Sequence, residues 1–186
     1  MTIIHETTIP GYLAGTWTID PVHSEVGFSV RHMMVSKVRG RFTQFDGELV
    51  TGTDPLDSAV TASIDLSSID TGNADRDNHL RSADFFEVET FPTMTYHSTG
   101  IRAEDDGYVL DGELTLKGVT RAVPLRLELG GFGPDAHGGV RAGFTATGEI
   151  KRSDFGVDFN AVLETGGLVV ADKISIDLEI QAVLNA

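Results

Sequence analysis

Residues 25–32 read EVGFSVRH, and this stretch decides the fold class because its side chains alternate with period two. Val26, Phe28 and Val30 are apolar, whereas the residues between them are polar or small. Such alternation predicts a strand with one face on an apolar interior and the other face in water. A solvated outer face is typical of antiparallel sheet.

The same alternation recurs along most of the chain. Near Thr43 and Gln44 its phase slips, because Phe42 is apolar at an even position and Phe45 at an odd one. One inserted residue would cause this slip, which predicts a β-bulge. The pattern predicts eight or more strands in an all-β barrel or sandwich, and long strands without edge protection favour the barrel. The further alternating segments are 37–42, 60–66, 94–98, 108–116, 123–129, 140–150 and 174–180.

Residues 71–86 lack the alternation. Asn73 is a suitable N-cap, which predicts a short helix over residues 74–82. The turn after it should point Phe85 and Phe86 inward. We predict a flexible N-terminal arm over residues 1–14 and a single domain over residues 15–186.

Composition excludes several classes of function. The 186 residues suit one domain and include 14 basic and 28 acidic residues, which give a net charge of −14. This charge repels phosphate groups, so non-specific nucleic-acid binding is not expected. The chain has no cysteine, which excludes thiol nucleophiles and disulfides. We see no signal-peptide pattern at the N-terminus and no run of 18 apolar residues, and we expect a cytoplasmic protein.

Five phrases occur in an order and spacing that is specific as a set. On these phrases the chain resembles the YceI-like family of lipocalin-like, polyisoprenoid-binding proteins, from Trp17 to near the C-terminus. The family usually has a glycine where this chain has Ala171. The phrases are WTIDPVHS at 17–24, RDNHLRSADFF at 76–86, GELTLKGVT at 112–120, IKRSDFG at 150–156 and ADKI at 171–174.

The resemblance implies an eight-stranded antiparallel lipocalin-like barrel whose bore holds a long isoprenoid lipid. Patterning alone favours a packed core over a bore, and Trp17 is expected to be core in either case. We expect neither a metal nor a cofactor apart from the lipid. The predicted ligand-binding residues are Phe28, Val30, His32, Phe42, Phe45, His79, Phe85, Phe86, Met94, Phe144 and Phe155.

Two arginines of the predicted helix, Arg76 and Arg81, are candidates for contacting the lipid headgroup. The alternative is that these arginines and His79 pair with nearby aspartates at the surface, where such pairs contribute little. The net charge predicts a neutral or weakly polar headgroup, such as a quinone or a polyprenol, since a pyrophosphate would meet an unfavourable potential.

No catalytic residue is predicted, and we expect a protein that is not an enzyme. His23 and Ser24 could form a base and nucleophile, but no serine–histidine–acid frame surrounds them, so a turn held by Asp20 and Ser24 is favoured. An enzyme acting on a bound lipid would need an acid or base in the bore, for which His32 and Asp154 are the candidates. A ligand-free protein-interaction module is a third reading.

The segment around residues 31–41 concentrates basic residues on an acidic protein. Arg31, Lys37, Arg39 and Arg41 should face outward, opposite in phase to Val38. This patch either docks to a membrane surface where lipid is exchanged or pairs with outward carboxylates such as that of Glu48. A homodimer is expected under each of these functional readings.

Overall fold

The computed structural model describes residues 9–33, 35–160 and 170–185. Over these ranges the chain forms twelve strands, one α-helix (α1, Ala74–Arg81) and three short 3-10 helices at Pro55–Asp57, Leu66–Ser68 and Arg152–Phe155. The strands are β1 (Gly15–Ile19), β2 (Glu25–His32), β3 (Ser36–Phe42), β4 (Phe45–Thr51), β5 (Ala59–Asp65), β6 (Ile69–Asp70), β7 (Thr93–Glu104), β8 (Gly107–Leu116), β9 (Val119–Ala122), β10 (Leu125–Pro134), β11 (Val140–Lys151) and β12 (Val170–Leu184).

The sheet closes into an eight-stranded antiparallel barrel. The order around it is β1-β4-β5-β7-β8-β10-β11-β12, and β12 pairs with β1 to complete the circle. Closure is possible because β12 is long: its last residues pair with β1, and its earlier part pairs with β2. Strand β12 thus pairs with β1 along one part of its length and with β2 along another, and β3 and β6 continue the wall from β2. Closure leaves no long exposed sheet edge over most of the wall.

The slip in alternation marks a break between β3 and β4, which pair with different strands, so the β-bulge predicted there is wrong. Phe42 ends β3 and Phe45 begins β4, and both side chains face the interior although their positions differ in parity. Thr43 and Gln44 lie between the two strands and absorb this change. Their backbone N–H groups donate to the Ser68 hydroxyl at 3.1 and 3.0 Å, which holds the interruption in place.

Part of the wall is not made by paired strands. Along its edge away from β2, β3 pairs with β6 only at Arg41 and Phe42. The chain then leaves the sheet, forms α1 and returns at β7, which pairs with β5. Phe86, from this excursion, places its ring 6.2 Å from that of Phe42. A non-strand segment thus contributes to the interior next to the free edge of β3.

Helix α1 confirms the predicted helix and ends one residue earlier than expected. The Asn73 side chain accepts a hydrogen bond from the Arg76 N–H at 3.0 Å, as an N-cap does. The buried Asp77 carboxylate accepts from the Thr71 N–H at 3.0 Å and from the Thr71 hydroxyl. These polar contacts fix the helix, whose sequence offers almost no apolar face.

A compact cluster closes the interior near β1. Trp17 is fully buried, as predicted, and its indole N–H donates to the Thr51 hydroxyl at 2.9 Å. Phe132 packs edge-on against Trp17 and also against Tyr12. Tyr12 donates its hydroxyl to the Gly52 carbonyl at 2.6 Å. Residues 9–14 are thereby attached to the barrel, and residues 1–8 of the predicted arm lie outside the described residues.

Candidate functional site

The barrel encloses a cavity of about 480 Å³ that reaches both of its ends. One end, here called the helix end, carries α1, the β2–β3 turn and Phe159. The opposite end carries Tyr12 and the turns that follow β4 and β10. Between the ends the lining is apolar, because the alternating strands send their apolar side chains inward. A volume of this size lies within the range of ligand pockets, roughly 300–1,000 Å³.

The structure brings together nearly all of the predicted ligand-binding residues. Many of them are only half-buried although they face inward, because their surface borders the cavity. Phe28 illustrates the arrangement: its ring lies directly over Gly40, where an added Cβ would come within 2.4 Å of it. The predicted residues that border the cavity are Phe28, Val30, His32, Phe42, Phe45, His79, Phe85, Phe86, Met94 and Phe144.

Phe155 is the member of that set that does not border the cavity. It is 1% exposed and belongs to the packed core. The physical reason is local: Phe155 ends the 3-10 helix Arg152–Phe155, so strand alternation does not set the direction of its side chain. This short helix packs against β9, β11 and β12 instead.

Arg81 also lies away from the cavity. Its guanidinium donates to the carbonyls of Ser67 at 2.9 Å and Ile69 at 3.1 Å, and to the Asn78 side chain at 3.0 Å. It therefore fixes α1 to the preceding segment. Arg76 does border the cavity, but its guanidinium donates to the hydroxyl and the carbonyl of Thr71 at 2.8 and 2.7 Å.

An aromatic cluster covers the cavity at the helix end. The His79 ring lies 5.0 Å from that of Phe85 and 5.1 Å from that of Phe159, in edge-to-face geometry. His79 Nε2 also contacts the Asp84 carboxylate at 2.8 Å. This contact matches the alternative in which His79 pairs with a nearby aspartate at the surface. The cluster places one polar ring among apolar ones where the cavity meets the surface.

A second arginine borders the cavity, and it is buried. Arg152 is 6% exposed, and its guanidinium donates to four backbone carbonyls at 2.8–3.2 Å. Burial lowers the pKa of this guanidinium below its usual value, and the charges of Asp172 and Asp158 partly offset the effect. The side chain thus ties the chain around residues 157–159 to the start of β12. Its acceptors are the carbonyls of Val157, Phe159, Val170 and Ala171.

Two other polar side chains on the cavity wall differ in whether they have a hydrogen-bond partner within the protein. The Tyr96 hydroxyl donates to the Val123 carbonyl at 2.8 Å, and burial raises the pKa of this phenol. His32, in contrast, borders the cavity and has no hydrogen-bond partner among the described residues. Its ring can therefore donate to or accept from a polar atom of a ligand.

The two residues considered for catalysis outside this wall have other surroundings. Asp154 is exposed and does not border the cavity. His23 lies in the predicted turn, where Asp20 accepts from the Val22 N–H at 3.0 Å and contacts His23 Nδ1 at 2.7 Å. Ser24 exchanges hydrogen bonds with the backbone of Gln181, its neighbour on β12.

Several lining residues were not singled out from the sequence. Inward positions such as Leu127 and Ile176 could have been found from strand parity alone. Tyr12, Arg152 and Phe159 could not, because they come from segments without a strand period. Among the described residues, no three histidine, aspartate or glutamate side chains are placed to share a metal ion. No helix among them is long and apolar enough to cross a membrane.

A closed antiparallel barrel around a continuous apolar cavity defines a lipocalin-like ligand-binding architecture. The sequence model of the YceI-like domain family matches residues 17–182, so this chain belongs to the YceI-like family.

Relatives and solved structures agree with this assignment. A UPF0312 protein of Photorhabdus laumondii is 42% identical over 146 residues, which are 77% of this chain and 76% of that protein. The crystal structure of BcnA from Burkholderia cenocepacia has the same fold, with a TM-score of 0.76, 24% identity, and coverage of 88% of this chain and 98% of that one. A polyisoprenoid-binding domain from Saccharophagus degradans, implicated in plant cell wall breakdown, matches with a TM-score of 0.65, 16% identity, and coverage of 93% and 100%.

Proposed function

We propose that this protein binds, and carries or stores, a long-chain isoprenoid lipid in the barrel cavity. The observation that carries the proposal is the apolar cavity of about 480 Å³ that runs between the two ends of the barrel. Family membership supports it, as does the polyisoprenoid-binding domain of the same fold. The role proposed is binding rather than catalysis.

Burial of the chain alone supplies enough affinity. For a lipid of about 40 carbons, the usual ceiling of about 0.3 kcal/mol per atom gives on the order of 12 kcal/mol, a nanomolar complex, when the whole chain is buried, and less in proportion to the part that extends beyond the cavity of about 480 Å³. Specific polar recognition is therefore not needed to retain the ligand. It is needed only to choose between headgroups.

The charges near the cavity favour a neutral or weakly polar headgroup, such as a quinone or a polyprenol. Arg76 and Arg152 are the arginines on the described cavity wall. Arg152 donates to four backbone carbonyls, whereas Arg76 donates to Thr71 through Nε and Nη2. A pyrophosphate would have to displace the hydrogen bonds of Arg152 or bind to the remaining donors of Arg76 alone, and it would approach a protein of charge −14. His32 instead offers a ring without a protein partner among the described residues, which suits one carbonyl or hydroxyl group.

The first test is to extract the purified protein with organic solvent and identify the released lipid by mass spectrometry. A stoichiometric isoprenoid with a neutral head is expected. A prenyl pyrophosphate as the main lipid would refute the headgroup assignment. An empty extract, with no uptake on incubation with quinone or polyprenol, would refute isoprenoid binding itself and favour a protein-interaction module.

A matched pair of variants then tests where the lipid lies. Ala62 is half-buried on the cavity wall, and its neighbour Thr61 faces solvent. Ala62→Phe should fill part of the cavity and abolish lipid uptake, whereas Thr61→Phe adds the same ring outside and should leave uptake unchanged. Equal, undiminished uptake by both folded variants would place the lipid elsewhere.

Two further features stay predictions. A homodimer would give twice the chain mass in sedimentation equilibrium. A cytoplasmic location would be checked by fractionating cells that express the native chain.

A further inference from the structure

The turn between β2 and β3 exposes apolar side chains at the helix end. Val35 is 84% exposed and Met33 is 44% exposed. A tight turn is ordinarily polar, because its backbone and side chains face water. Two large apolar side chains at such a tip point to a surface that is covered by something other than the described chain.

Basic side chains flank this tip on both strands. Arg31 lies directly opposite Lys37, and Arg39 lies opposite Ser29. Like charges in directly opposite positions destabilise a sheet. Arg31, Lys37 and Arg39 are exposed and have no ion pair among the described residues.

Pairing within the protein does not account for this patch. Glu48, the carboxylate considered as a partner, lies on β4 opposite Thr18 and Thr61. Arg41 alone reaches a carboxylate, that of Asp70 at 3.7 Å, and both side chains are about half exposed. Such a contact contributes little. The patch therefore presents unneutralised positive charge on a protein whose net charge is −14.

The tip is next to the opening of the cavity at the helix end. His32, the last residue of β2, pairs with Val170 at the start of β12, and both border the cavity. Phe159 and His79 border it at the same end. A surface that contacts the tip thus lies close to the place where the cavity meets solvent.

We propose that the β2–β3 turn, with Met33 and Val35 at its tip and Arg31, Lys37 and Arg39 beside it, docks to an anionic lipid bilayer. Apolar side chains inserted at the headgroup level, flanked by cations, are how peripheral proteins bind such surfaces. A second, acidic protein is a poorer candidate for the binding partner of this tip. A stable protein interface buries about 800 Å² on each partner, and this tip is only a few residues wide. Docking here brings the helix end of the cavity to the bilayer.

The net charge makes docking orientation-specific. At long range an anionic bilayer repels the chain, but at about 0.1 M salt charges are screened beyond about 10 Å, so the local patch dominates at contact. Each cation near an anionic surface contributes roughly a fivefold gain in partitioning. Binding should therefore be weak, sensitive to ionic strength and absent on vesicles of neutral lipid.

Charge-matched variants test this with vesicles of phosphatidylglycerol and phosphatidylcholine in a flotation assay. K37Q/R39Q should lower partitioning at least about tenfold. R121Q/R126Q removes two exposed cations from β9 and β10 and makes the same change in net charge, so its partitioning should stay within about twofold of the parent. Equal losses in the two variants, or no binding by the parent at low salt, would overturn the proposal.

A single fluorescent label tests the contact directly, because the chain has no native cysteine to react with it. An environment-sensitive dye attached through V35C should shift to the blue on anionic vesicles. The same dye attached through A136C, in the exposed turn at the opposite end, should not shift. A shift only at position 136 would overturn the proposal, and so would unchanged partitioning of M33N/V35S. These assays need no isoprenoid, so their failure is distinct from failure of lipid binding in the cavity.

Discussion

Asp20 lies in the turn between β1 and β2, where one carboxylate meets two cationic or protonatable partners. Its Oδ2 atom accepts a hydrogen bond from Arg141 at 2.8 Å and contacts His23 Nδ1 at 2.7 Å. Its Oδ1 atom accepts from the Val22 N–H at 3.0 Å. The side chain is 16% exposed, so this link between the turn and β11 is largely shielded from water.

These contacts predict a stability change that depends on pH. The hydrogen bond from Arg141, followed by that from His23, lowers the pKa of Asp20 from 3.8 to about 2. Because the folded-state pKa lies below the unfolded value, the contribution is fully present above the unfolded pKa and is lost as the pH falls towards about 2. The difference corresponds to about 2 kcal/mol of folding free energy at neutral pH.

Asp20→Asn keeps an oxygen that can accept from the Val22 N–H but removes the charge. Urea unfolding should show the variant about 2 kcal/mol less stable at neutral pH, with the difference shrinking steadily from about pH 5 towards about pH 2. Asp106→Asn, in an exposed turn, is the control and should change stability by less than about 0.5 kcal/mol. A difference between wild type and Asp20→Asn that is independent of pH would refute the electrostatic explanation.

Three further substitutions give distinct outcomes in the same unfolding assay. Gly40→Ala would place a Cβ 2.4 Å from the Phe28 ring, so the ring must move. We expect the free energy of unfolding to fall by about 1–3 kcal/mol and lipid uptake to weaken. Unchanged stability and uptake would contradict the close packing. Arg152→Met strips the buried backbone carbonyls of their donor and should cost at least about 3 kcal/mol, so a neutral result would show that the guanidinium is dispensable. Thr51→Val removes the acceptor of the Trp17 indole N–H and should cost about 1–3 kcal/mol, with a shift in Trp17 fluorescence as an independent readout.

Much of the barrel was predictable because strand geometry is local. Side chains alternate across any strand, so the parity of Phe28 and Val30 already indicated which face is inward. The slip between Phe42 and Phe45 located the interruption between β3 and β4, and Asn73 located the start of α1. The same parity selected most residues that border the cavity. The family resemblance supplied the number of strands and the class of ligand that we propose.

What alternation could not decide was set by contacts between distant parts of the chain. Phe155 became core, Arg81 became an anchor of α1, and Tyr12 joined residues 9–14 to the barrel, because their directions depend on partners far away in sequence. The inward residues of a packed barrel and of a hollow one follow the same pattern. Only the pairing of β12 with β1 closes the circle, and the width of the closed circle determines whether those side chains meet or leave a cavity between them.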